Sequence, residues 1–130
     1  MQSLKNIVIN AAMSLTLLFG LTVSAAAAGS SFEQVEALSE QGDSFYQDYL
    51  GDHYSGGRGV RQDYGKAFEW YQKSAKQNNP FAQGYIGIMY ETGRGIRQNK
   101  TTAKEWYGKS CDNGEQLGCD QYKKLNEQGY

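Results

Sequence analysis

Few residues in this chain have side chains suited to chemistry, and they are unevenly placed. Cys111 and Cys119 are the two cysteines, with seven residues between them. All four arginines, Arg58, Arg61, Arg94 and Arg97, fall in two short glycine-rich segments. His53 is the one histidine. A single imidazole and two thiols cannot complete a tetrahedral metal shell. An even cysteine count in an exported chain reads instead as a disulfide. The arginine fork matches carboxylate or phosphate, but the glycine segments lack the Lys-Ser/Thr ending of a phosphate loop. There is no Ser-x-x-Lys and no Gly-x-Ser-x-Gly, so His53 has no nucleophile motif to serve. These residues point to binding rather than catalysis, with no cofactor and no metal.

The charge balance narrows the partner class. Thirteen Lys and Arg oppose fourteen Asp and Glu in 130 residues, a net charge of −1. That leaves no basic surplus to displace counterions from nucleic acid, so the expected partner is another protein.

The elements that hold these residues repeat. Setting Phe45–Ala75 on Phe81–Cys111, a shift of 36, gives sixteen identities in 31 positions without a gap. Among them are Gly51, Tyr54, Gly57, Arg58, Gly59, Arg61, Ala67, Trp70, Tyr71 and Ser74. Fixed-period self-similarity marks a repeat architecture. In the second unit Phe81, Ala82, Tyr85, Ile86, Met89 and Tyr90 form one apolar helical stripe. Gly93 and Gly95 then let the chain turn, and Asn99, like Asp63 before it, stands at an N-cap position. A second helix should bury Ala103, Trp106, Tyr107, Ser110 and Cys111, as Ala67, Trp70, Tyr71, Ser74 and Ala75 do one unit earlier. Gly51 and Gly87 lie inside first helices, where glycine costs about 1 kcal/mol. Its recurrence implies close approach of a neighbouring helix. Such a pair cannot bury its own stripe, whereas stacked pairs can. The expected fold is all-α: a short α-solenoid of antiparallel helix pairs, with about six helices.

The first 28 residues read as a leader. Lys5 precedes an apolar stretch from Ile7 to Val23, and a run of alanines from Ala25 to Ala28 follows. That order fits a Sec signal peptide cleaved near Ala28. The stretch is too short and too interrupted for a firm span, so no stable membrane insertion is expected after cleavage. The domain then covers 29–130: an N-terminal half-unit at 32–41, repeats at 43–78 and 79–114, and a C-terminal capping helix at 115–127. Export makes a Cys111–Cys119 disulfide the natural reading, across the turn at Asn113 and Gly114.

The pattern Leu50-Gly51-x-x-Tyr54-x-x-Gly57-x-Gly59-Val60-x-x-Asp63-x-x-Lys66-Ala67-x-x-Trp70-Tyr71 resembles the Sel1-like repeat, a relative of the tetratricopeptide repeat. The second unit follows it at Gly87, Tyr90, Gly93, Gly95, Ile96, Ala103, Trp106 and Tyr107, departing at Asn99 and Thr102. The resemblance implies a helical scaffold that binds other proteins, often in bacterial envelopes, with the first helices lining its concave side. The Cys-x7-Cys spacing is similar to that of the cysteine-rich Sel1-like proteins of helicobacters. The expectation is a periplasmic or secreted protein-binding scaffold without catalysis. Alternatives are a β-lactam-binding or weakly β-lactamase-like protein, and an immunity-type inhibitor of an envelope toxin. Candidate partner-binding residues are the loop arginines Arg58, Arg61, Arg94 and Arg97, with Asp48, Asp52, Ile88 and Glu91 on the first helices. Gln47, Ser55, Gln83 and Gly84 are also expected outside the apolar stripe. His53 and the tryptophans Trp70 and Trp106 are expected to pack.

Overall fold

A computed structural model describes residues 31–130. The expected leader, 1–28, lies outside the described residues. Six helices follow in order: α1 (Phe32–Glu40), α2 (Ser44–Gly56), α3 (Tyr64–Ala75), α4 (Pro80–Thr92), α5 (Lys100–Asp112) and α6 (Gln116–Glu127). Each packs chiefly on its neighbours in sequence. Among the described residues there is no strand, and no helix is long and apolar enough to cross a membrane. This is the expected all-α solenoid: α2–α3 and α4–α5 are the whole pairs, and α1 and α6 close the ends.

The caps explain where the helices begin and stop. Asp63 and Asn99 each accept the amide of the third helical residue, Lys66 and Thr102, at 3.0 Å. Each such cap contributes about 1 kcal/mol. Gly57 and Gly93 end the first helices in the left-handed region, at φ 65° and 73°. The following loops are pinned identically. Gln62 Nε2 donates to the Ser55 carbonyl and Gln98 Nε2 to the Glu91 carbonyl, both at 2.7 Å. Val60 and Ile96 turn inward onto the core.

The main core runs from Val35 on α1 through Leu50, Tyr54, Ala67 and Tyr71 to Ile86 and Met89 on α4. A smaller cluster joins Ala103, Tyr107 and Leu125 at the C-terminal end. The glycines within the first helices have the anticipated reason. A Cβ on Gly51 would stand 2.6 Å from the Tyr71 ring, and one on Gly87 2.6 Å from the Tyr107 ring.

Three expectations about helix faces need correction. Phe81 and Tyr85, assigned to the buried stripe, are exposed. Helix α4 is covered along Ala82, Ile86 and Met89, and Phe81 and Tyr85 lie one step round, at the open edge of that contact. Gln47 and Gln83, assigned to the outside, are buried. Their amides donate to the carbonyls of Ser39 and Ala75 at 3.2 Å, at the end of the preceding helix, where carbonyls lack helical partners. Trp70 and Trp106 are half-buried, each under a lysine one turn on, with Lys73 Nζ 4.1 Å and Lys109 Nζ 4.2 Å from the ring centre. The fully enclosed aromatics are Tyr71 and Tyr107, at 2% and 1% exposure.

Gly87→Ala should therefore lower stability by about 1–3 kcal/mol, because the Tyr107 ring must move. Gly84→Ala, on the same helix, places its Cβ 3.4 Å from Ser110 Oγ and no nearer to anything else. It should gain up to about 1 kcal/mol from helix propensity. Urea unfolding of both variants beside the wild type checks the opposite signs.

Candidate functional site

The first helices of successive units, α2, α4 and α6, share an open face. Positions 45, 81 and 117 recur at the interval of 36 and hold Phe, Phe and Leu. All three are exposed, at 64%, 57% and 51%. Tyr85 also reaches solvent, and its ring stacks on Tyr71 at 4.8 Å between centres. Phe45 stacks on Tyr49 in the same way at 6.3 Å. Between α4 and α6 the face sinks into a pocket of about 90 Å³, lined by Phe81, Gly84, Tyr85, Ile88, Tyr107, Glu115, Leu117 and Gly118. Its floor is open because Gly84 has no side chain to fill it.

The disulfide shapes this pocket. Cys111 and Cys119 are bonded, with Cα atoms 4.5 Å apart, and tie the end of α5 to the first turn of α6. Glu115, Leu117 and Gly118 stand inside the loop it closes. Gly118 lets α6 approach α5, since a Cβ there would lie 2.6 Å from Ser110 Oγ.

The expected carboxylates divide into two groups. Glu91 is built into the interior: it accepts the Tyr107 hydroxyl at 2.6 Å and pairs with Lys124 at 3.5 Å. Asp52 accepts the Tyr71 hydroxyl at 2.6 Å. Burial, and then these hydrogen bonds to carboxylates, push both tyrosine hydroxyls well above their usual range. Asp48 is different. It is half-buried one turn before Asp52, and its Oδ1 has no hydrogen-bond partner. Burial, with a further push from the Asp52 charge, raises its carboxyl to about 7. Ile88 is half-buried in the pocket wall and packs on the C-terminal cluster.

The arginines lie elsewhere. Arg58, Arg61, Arg94 and Arg97 are exposed on the α2–α3 and α4–α5 loops, and no ion pair engages any of them among the described residues. The second loop rests on the preceding unit: a Cβ on Gly95 would collide with the Tyr64 carbonyl, and Arg94 lies 5.7 Å over the Tyr64 ring. His53 is a packing residue. Its Nδ1 donates to the Arg58 carbonyl at 2.5 Å, and its ring meets Tyr49 and Phe32 edge-on. No cluster of metal-ligating side chains occurs among the described residues.

The Sel1 repeat family model matches residues 44–79 and 80–115, each spanning one helix pair with its glycine loop. The chain belongs to the Sel1 repeat family. A Sel1 repeat protein from Oxalobacter formigenes is 33% identical, with a TM-score of 0.69, over 71% of this chain and 69% of that one. Helicobacter pylori cysteine rich protein B is 25% identical, with a TM-score of 0.68, over 76% of each chain. The protective antigen c5321 of uropathogenic Escherichia coli is 26% identical, with a TM-score of 0.73. This chain covers 75% of its own length in that match but only 21% of the larger antigen. No protein of curated function matches.

A helical stripe drawn one residue wider than the buried one absorbs Phe81 and Tyr85 and so hides the exposed ladder. The signal was the period itself: Phe45, Phe81 and Leu117 recur at 36 although Leu117 lies outside the two whole repeats.

Two outcomes follow for this Sel1 repeat protein. Asp48 holds a proton in the folded state at pH values where the unfolded chain has released it. Folding is therefore penalised as pH rises from about 4 to about 7, and the penalty persists above. Asp48→Asn removes it, so the gain of the variant over wild type should grow between pH 5 and pH 8; urea unfolding across that range checks the trend. For Cys111 and Cys119, thiol labelling of unreduced protein should find no free cysteine. Reduction should cost about 2.5 kcal/mol, with the melting transition lowered rather than lost.

Proposed function

We propose that this Sel1 repeat protein is an exported, non-catalytic scaffold that binds another protein across the face of α2, α4 and α6. One observation carries the reading: Phe45, Phe81 and Leu117 expose large apolar side chains at the same position of three successive first helices. A stretch of exposed apolar surface of this kind marks interaction sites in soluble proteins. The rigid backbone beneath suits binding, because little order is gained on association. Family membership supports the scaffold role, since Sel1 repeats generally mediate protein–protein interaction.

Export is supported by the disulfide and by the likeness to cysteine rich protein B, together with the expected leader at 1–28. A periplasmic or secreted location follows from the same features. The pocket favours binding over turnover: it presents Glu115 as its one carboxylate and no serine, cysteine or lysine. The four exposed arginines form a second, electrostatic edge of the scaffold. Their role is to speed encounter with an acidic rim on the partner rather than to hold it.

The test is capture from an envelope extract on the immobilised mature protein. Phe81→Ser with Leu117→Ser removes exposed apolar side chains, so stability should change by less than about 1 kcal/mol. Partners held by the wild type should be lost. Arg58→Ala with Arg94→Ala should slow association and flatten its salt dependence while leaving dissociation unchanged. Undiminished capture by the Phe81 and Leu117 variant would place the binding surface elsewhere and reject the reading.

A further inference from the structure

The open face carries charge as well as apolar surface, and the charge is one-sided. Asp48 and Asp52 stand on α2, Glu115 caps α6, and Asp120 stands one turn into α6. The lysines on the same helices are Lys123 and Lys124, paired with Glu127 and Glu91. Arg58, at the loop edge, is the one cation that acts on Tyr85, and it does so less than either aspartate. Tyr85 marks the boundary between the two regions. On one side it lines the α4–α6 pocket with Phe81, Ile88 and Leu117. On the other it stacks on Tyr71, whose hydroxyl is held by Asp52. Burial, and then the negative charges of Asp52 and Asp48, push the Tyr85 hydroxyl up.

We propose that the face receives a polypeptide segment that pairs an apolar side chain with a cationic one, the first entering the α4–α6 pocket and the second meeting Asp48 and Asp52 across Tyr85. The proposal rests on the scaffold reading and names the chemistry of its partner. Four features of the site agree. The pocket volume, about 90 Å³, is on the scale of one aliphatic or aromatic side chain. Asp48 is half-buried and no ion pair engages it among the described residues, and an ammonium or guanidinium group supplies the missing countercharge. A donated charge-assisted bond offsets the desolvation that Asp48 already carries in the free protein. The exposed ring of Tyr85 offers its face to the same cation. An acidic segment meets the opposite situation: its carboxylates would stand against Asp48 and Asp52, which no cation pairs among the described residues, the arrangement that excludes wrong partners.

The probe is a library of random heptapeptides displayed on phage, panned against the oxidised mature protein. The expected selection is enriched in Leu, Ile, Phe or Trp close to Lys or Arg, and depleted in Asp and Glu. The strongest sequence is then made as a fluorescent peptide and titrated by anisotropy, beside a copy with its cation changed to Gln. Wild type should prefer the cationic peptide by tenfold or more. Asp48→Asn should erase most of that preference while still binding the Gln copy. This variant leaves the Tyr71–Asp52 hydrogen bond intact, and circular dichroism verifies its helicity. Leu117→Ser should weaken both peptides at least tenfold. Selection of acidic or uncharged sequences, no selection at all, or a preference that survives Asp48→Asn would overturn the proposal. If capture of an envelope partner through Phe81 and Leu117 persists in those cases, the scaffold reading stands and only the partner chemistry falls.

Discussion

Two tyrosine rings pressed onto two glycines hold each helix pair at its working distance. Tyr71 lies over Gly51 and Tyr107 over Gly87, so close that a methyl group on either glycine would collide with the ring. The close approach buries the ring almost completely, and the hydroxyl must then find a partner or pay several kcal/mol of lost hydration. Asp52 supplies it in the first pair and Glu91 in the second, both at 2.6 Å. The crossing, the choice of glycine and the placement of a carboxylate on the first helix are thus one constraint. It also decides which carboxylates remain for a partner: Glu91 is taken by Tyr107 and Lys124, Asp52 gives one oxygen to Tyr71, and Asp48 serves neither ring.

Within each unit the two helices are joined by a second set of polar ties, repeated with the same geometry. Ser74 Oγ donates to the Ser44 carbonyl at 2.6 Å, and Ser110 Oγ to the Pro80 carbonyl at 2.8 Å. Gln77 donates to Gln47 Oε1 at 2.8 Å, and Asn113 to Gln83 Oε1 at 2.9 Å. The two amide ties satisfy Oε1 of the buried Gln47 and Gln83, so their loss costs more than their formation contributes. These ties resist sliding of one helix on the next, which hydrophobic burial alone does not. Between units, Gln47 Nε2 holds the Ser39 carbonyl and Gln83 Nε2 that of Ala75, both at 3.2 Å, which ties each first helix to the unit before it. At the C-terminal end, where the smaller cluster offers less burial, the Cys111–Cys119 bond takes over and fixes the pocket wall.

Repeat period, helix count, loop glycines, N-caps and the cysteine pair were all legible in the chain itself. They depend on short-range rules: a glycine for positive φ, Asp or Asn for the first free amides, a 3.6-residue apolar rhythm. The 36-residue identity also located Gly51 and Gly87 as close-approach positions before any neighbour was known. What the chain could not disclose was which edge of each apolar stripe meets another helix. Phe81 and Tyr85 are as apolar as Ile86, and Gln83 is as polar as Asn99. Only the angle at which α3 and α5 cross α4 decides that Gln83 is buried against the Ala75 carbonyl while Phe81 faces water. The tryptophans tell the same story, since size alone suggested burial and the helix rotation left them half-open beneath lysines. Local rules therefore determined the fold and its repeat, because they act within one turn or one loop. The binding face was settled by tertiary structure, because exposure is a property of what stands opposite a side chain rather than of the side chain itself.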